Sequence, residues 1–101
     1  MKEKWETRLL VNRTPIELTE FPAEFLAKTV VSAVSTLKGA EEIHSLDLNL
    51  EQGEVRVIVN GNELALSPFP SDIIANTLIG LVSSLKGVDR VDSLEVNIKA
   101  L

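Results

Sequence analysis

The sequence predicts an α+β fold. A tandem duplication of a β-β-α-β unit would form a mainly antiparallel six-stranded sheet with two helices on one face. Three observations predict it. Residues 6–50 lie on residues 54–98 without a gap at a shift of 48 positions, with 17 of the 45 aligned pairs identical. Within each copy the apolar period changes from two, to about 3.6, and back to two, as strand, helix and strand require. The same punctuation recurs at the same offsets, with Phe21-Pro22 and Phe69-Pro70 before the helical stretches and Leu37-Lys38-Gly39 and Leu85-Lys86-Gly87 after them.

The second copy is the cleaner one. Residues 54–59 are β-branched and largely alternating, which predicts a strand. Asn60-Gly61 tolerates the positive φ of a two-residue type I′ hairpin turn, so residues 63–66 return as a second strand. Ser67-Pro68-Phe69-Pro70 breaks it, because proline lacks a ladder donor but suits a first helical turn. Over 71–86, Ile74, Leu78, Leu81, Val82 and Leu85 form one helical stripe. Gly87 is the expected cap, with Lys86 beside the negative end of the helix dipole. Residues 88–92 connect to a last strand, where Leu94, Val96 and Ile98 alternate with polar residues.

The first copy repeats the pattern, with strands at 7–11 and 16–19, a helix over 22–38 capped by Gly39, and a strand at 45–50. Its hairpin differs. Asn12-Arg13-Thr14-Pro15 lacks the glycine, which predicts a longer loop. Glu51-Gln52-Gly53 joins the copies and is too short to be a domain linker. The short joint favours a hairpin between the third and fourth strands. Placing each copy's third strand beside its own first gives a local order 2-1-3. A β-grasp-like arrangement, or two three-stranded sheets completed by another subunit, are the alternatives.

At 101 residues the chain reads as a single domain, 1–101, made of the repeats 6–50 and 54–98. Halves of this size are near the lower limit for independent folding, so they should share one core. There is no cysteine, which excludes disulfides, thiolate metal sites and cysteine nucleophiles. The first residues carry charge without a following apolar run, so no signal peptide is expected. The longest uncharged run, 73–85, is 13 residues, short of the roughly 20 needed to cross a bilayer. The expectation is a cytoplasmic protein without membrane contact. The net charge of −5 is spread over both halves, with no basic stripe and few aromatics, which argues against nucleic-acid binding.

No constellation of catalytic groups stands out. His44 is the single histidine, and the second copy has Asp92 in its place. A general base or zinc ligand needs further groups around it, so a surface histidine in a connection is the simpler reading. Glu41-Glu42 and Asp89 with Asp92 lack the dense oxygen pattern of a calcium loop. Glu24 and Asp72 fall in the expected first helical turns, where an acid complements the dipole, and Ser71 is a candidate cap. Asn60-Gly61-Asn62 has one glycine and no following helix, unlike a phosphate loop. No catalytic residue, metal ligand or cofactor is expected.

The helix faces opposite the apolar stripes are unusual. The first presents Phe25, Lys28, Thr29, Ser32, Ser35 and Thr36, and the second Ile73, Asn76, Thr77, Gly80, Ser83 and Ser84. Solvent-facing helices normally carry Lys and Glu in i,i+4 pairs, and an exposed helical glycine costs about 1 kcal/mol relative to alanine. Such a face either packs on the other helix, packs on a second subunit, or is a plain polar surface. The interaction candidates are Phe25, Thr29, Ser32, Thr36, Ile73, Asn76, Thr77, Gly80, Ser83 and Ser84. On the outer sheet face Leu10 and Ile58 alternate with charged residues and would seed an interface if adjacent. The functional expectation is a non-enzymatic protein-interaction or self-assembly domain, homodimeric or bound to another protein. The alternative is a small-ligand binder with a pocket where the repeats join.

Overall fold

The computed structural model describes residues 5–38, 42–65, 68–85, 88 and 90–101, without the side chains of 37, 38 and 68–71. The elements are β1 (Trp5–Val11), β2 (Thr14–Ile16), α1 (Glu20–Lys38), β3 (Ser45–Glu51), β4 (Glu54–Val59), β5 (Asn62–Leu64), α2 (Pro68–Ser83) and β6 (Ser93–Ala100). The class is α+β, with one open six-stranded sheet in the order β2-β1-β6-β3-β4-β5 and every neighbouring pair antiparallel.

Each hairpin is closed by two residues with positive φ. The values are 52° and 68° at Asn12-Arg13, 51° and 81° at Gln52-Gly53, and 51° and 83° at Asn60-Gly61. The longer loop expected at Asn12 is therefore corrected: Val11 pairs directly with Thr14, as Val59 pairs with Asn62. Arg13 accepts the conformation that Gly61 takes freely, at a steric cost of about 1 kcal/mol. Arg13 Nη2 also meets Glu51 Oε2 at 3.1 Å, but this pair is well exposed and contributes little. Arg13→Gly should thus raise stability by about 1 kcal/mol in urea unfolding, and an unchanged or lower midpoint would contradict the turn strain.

The turns also decide the strand order. β4 is hairpinned to β3 on one side and to β5 on the other, so both its edges are occupied. β6 cannot lie beside β4 as the 2-1-3 expectation requires. It pairs instead with the free edge of β3 and accepts β1 on its far side. Apolar alternation could not foresee this, because Leu46, Leu48 and Leu50 present the same pattern as Leu94, Val96 and Ile98. The resulting register repeats at the same 48-residue offset. Leu9 opposite Val96 corresponds to Val57 opposite Leu48, and the central pair sets Leu48 against Val96.

Two asparagines tie this arrangement together. Asn12 Oδ1 accepts the N–H groups of Asp92 (2.7 Å) and Ser93 (3.0 Å), and its Nδ2 donates to the Arg90 carbonyl (2.7 Å). Asn60 Oδ1 accepts from His44 (2.7 Å) and Ser45 (3.1 Å), and its Nδ2 donates to the Glu42 carbonyl (2.9 Å). Each turn thereby holds the approach to a third strand belonging to the opposite half of the chain.

A single buried cluster joins both helices to one sheet face. Leu26, Val30 and Val34 of α1 and Ile74, Leu78 and Val82 of α2 pack with Leu9, Leu48, Val57 and Val96 of the strands. The helices touch each other, and the molecule is a slab of 35 × 34 × 18 Å.

α1 begins two residues before Pro22, and α2 begins at Pro68, two residues before Pro70. Pro22 and Pro70 sit third in their helices, where N–H groups have no intrahelical partner and proline removes nothing. The Thr19 carbonyl accepts the Ala23 N–H at 3.1 Å, which marks Thr19 as the N-cap of α1. Glu24 and Asp72 are consequently fifth in their helices and outside the first turns, contrary to the sequence expectation. Glu24 Oε1 instead pairs with Lys28 Nζ at 3.3 Å, one turn on. α2 ends at Ser83 in a tightened turn, with Ser84 N–H to the Leu81 carbonyl (3.2 Å) and Leu85 N–H to Val82 (3.0 Å). The expected caps Gly39 and Gly87 lie outside the described residues, as do Glu41, Ser67, Lys86, Asp89 and the Ser71 side chain.

Candidate functional site

The helix layer carries three of the large exposed apolar side chains among the described residues: Phe21 (75% exposed), Phe25 (49%) and Ile73 (50%). Starting α1 at Glu20 places Phe21 and Phe25 one turn apart on the same side, and their rings stack at 5.9 Å and 14°. One further turn brings Thr29, which lines a cleft between the helices together with Ile73 and Thr77. The strip therefore runs from Phe21 through Phe25 and Thr29 to Ile73. The cleft is walled beneath by Val30, Val34, Leu48, Ile74 and Leu78. Its volume of about 40 Å³ is far below that of a small-molecule site.

The sequence candidates divide into two groups. Thr29, Ile73 and Thr77 converge on the cleft, with Phe25 beside them. Ser32, Thr36, Asn76, Gly80 and Ser83 are exposed elsewhere on the helices, and Ser84 is exposed in the turn just after α2. The hydroxyls of Thr36 and Ser84 donate to the carbonyls of Ser32 (3.0 Å) and Gly80 (3.1 Å) four residues back, so each already has a local backbone partner. A Cβ added at Gly80 would meet nothing within 4 Å. Gly80 therefore serves no close backbone approach among the described residues. Phe21 is absent from the sequence candidates, because in the sequence Phe21-Pro22 marks the break between strand and helix. Its i,i+4 spacing to Phe25 was the available signal.

The opposite sheet face is uncovered. Leu10 and Ile58 are both half-buried there, but they stand on β1 and β4 with β6 and β3 between them. They are thus about 14 Å apart and do not form the adjacent pair that would seed an interface. The centre of this face is polar. Asn97 Nδ2 donates to Asp47 Oδ1 at 2.6 Å, and Asn49 opposes Glu95 in the corresponding place. Towards the Gln52-Gly53 turn lies an open groove of about 870 Å³, lined by residues of both halves including Leu10, Arg13, Asn49, Glu51, Arg56 and Glu95. Its arginines are already engaged, Arg13 with Glu51 and Arg56 with Glu63 at 3.5 Å.

His44 is exposed, with Nε2 at 3.9 Å from Glu42 Oε1. Its position is set through its backbone N–H, held by Asn60. Among the described residues no three His, Asp or Glu side chains cluster as a metal site would require. No described helix is long and apolar enough to cross a membrane. Comparison with known proteins finds no matching family model, curated protein or solved structure.

Proposed function

We propose that the chain is a non-enzymatic interaction domain, a tandem duplication of one β-β-α-β unit, that self-associates as a homodimer through its helix layer. The observation that carries this reading is the exposed strip Phe21-Phe25-Ile73. Large apolar side chains exposed on one layer, here a stacked phenylalanine pair and an isoleucine across the cleft, are the kind of surface that marks contact sites on soluble proteins. A second copy is the occupant for two reasons. Each copy carries a net charge of −5, and the exposed Glu24–Lys28 pair beside Phe25 is neutral as a pair, so like copies approach with least repulsion there. The 35 × 34 Å face of the slab also exceeds the about 800 Å² per partner of a standard interface. A two-fold contact of this type is self-complementary. The reading places the chain in the cytoplasm, without nucleic acid or membrane as partner.

Light scattering on a sizing column tests this. The chain should elute at twice its 11.1 kDa mass, and Phe25→Glu should shift it to monomer at least tenfold more readily with unchanged circular dichroism. A chain that stays monomeric at millimolar concentration, or a dimer indifferent to Phe25→Glu, overturns the reading. The second reading is a small-ligand binder using the groove of about 870 Å³ at the junction of the halves. The groove's size favours it, while its polar and wide-open walls make it unlike the enclosed apolar sites that hold small ligands.

A further inference from the structure

Neither half of the chain closes its own sheet. β3 takes both neighbours, β4 and β6, from residues 54–100. β6 takes β1 and β3 from residues 5–51. The asparagine clamps obey the same rule, since Asn12 holds the approach to β6 and Asn60 the approach to β3. The buried cluster is likewise built from both halves. The covalent joint between them is one two-residue turn, in which Gln52 carries a side chain at φ 51°.

We propose that the two halves are exchangeable, and that a second copy of this chain is the partner that supplies the complementary half. When residues 52–53 run straight instead of turning, two chains build two such sheets. Each sheet then contains residues 5–51 of one chain and 54–100 of the other. Every strand pair, both clamps and the whole core are retained, and only the turn changes. Straightening the turn relieves the left-handed backbone at Gln52, and short strained joints of this kind favour exchange. Opposing this, the tether keeps the halves of one chain at an effective concentration in the millimolar range. The unmodified chain therefore closes on itself, and exchange grows with protein concentration and with any change that weakens the turn. This proposal does not rest on association through the helix layer.

Two measurements on the full chain test it. In a Phe25→Glu background, which removes helix-layer contact, Gly53→Val places a β-branched residue at φ 81° and disfavours the turn. The dimer fraction by light scattering should rise at least tenfold, and the dimer should persist for hours after dilution. A folded chain that remains monomeric overturns the proposal. The second measurement applies whether or not that variant folds. Leu48→Asp and Val96→Asp chains, each with a charge in the buried centre of one half, are unfolded separately and refolded together. Exchange brings the two intact halves into one sheet, so the mixture should regain up to half of the native circular dichroism while neither chain does so alone. No recovery in the mixture overturns the proposal.

Discussion

Leu48→Ala should destabilise the protein by about 4 kcal/mol, near the upper end for a leucine truncated in a core. Leu48 is fully buried at the middle of β3, opposite Val96 at the centre of the sheet. It also lines the floor of the cleft between α1 and α2, so it is the residue on which both helices and the two central strands converge. Truncation removes the transfer energy of three carbon atoms and opens a void. That void merges with the existing cleft of about 40 Å³, so the lining has little to collapse onto. A loss of this size is a large part of the total stability expected of one small domain, about 5–15 kcal/mol, and corresponds to a fall in melting temperature of about 15–30 °C. Urea unfolding monitored by circular dichroism measures it. A loss below about 1.5 kcal/mol at unchanged m value would show that the helices settle into the space and that Leu48 is no keystone.

Asn60→Ala should cost about 3 kcal/mol, although the residue lies at the surface. Three hydrogen bonds disappear, to the N–H groups of His44 and Ser45 and to the Glu42 carbonyl, and the Ser45 bond is partly shielded from water. Alanine must in addition hold φ at 51°, which asparagine tolerates better. Asn60→Gly separates the two contributions, since it keeps the backbone free and deletes only the side-chain bonds. It should lose about 1 kcal/mol less than alanine. Asn12 holds Arg90, Asp92 and Ser93 in the same way, near the start of β6, about 20 Å from the start of β3. At that distance the losses from Asn12→Gly and Asn60→Gly should add. Faster amide exchange at His44 and Ser45, confined to that end of the sheet, accompanies Asn60→Gly. Equal stability of the native and glycine chains would reduce the clamp to a turn former.

The elements were legible because their signals are local. Alternation of Leu46, Leu48 and Leu50 or of Leu94, Val96 and Ile98 marks strands, and the stripe through Ile74, Leu78 and Val82 marks a buried helix face. The boundaries slipped where one residue type serves two roles. Pro22 reads as a first helical residue and Pro70 as the end of a break, but both are tolerated third in a helix, so α1 begins at Glu20 and α2 at Pro68. The strand order was legible only through a count of edges, since β4 has two and hairpins use both. Arg13 concealed a type I′ turn, because the turn's steric cost is small enough for the two paired strands to carry. On the helix faces, residue type alone could not separate Thr29, beside the cleft, from Thr36, bonded to its own helix. The asparagine clamps were visible as identities at the 48-residue offset, Asn12 with Asn60 and Ser45 with Ser93, but their meaning depends on a strand order that was not foreseen.

The pairing of Trp5 with Ala100 has a mechanical consequence. The two ends of the described chain leave the sheet side by side, from adjacent antiparallel strands. A force that pulls them apart acts along the hydrogen bonds that join β1 to β6 and loads them one after another from that end. The opposite geometry, in which strands slide past each other, would load all the bonds at once. Tension on the ends therefore opens this protein like a zip, and its resistance to pulling is low however well its core resists heat or urea.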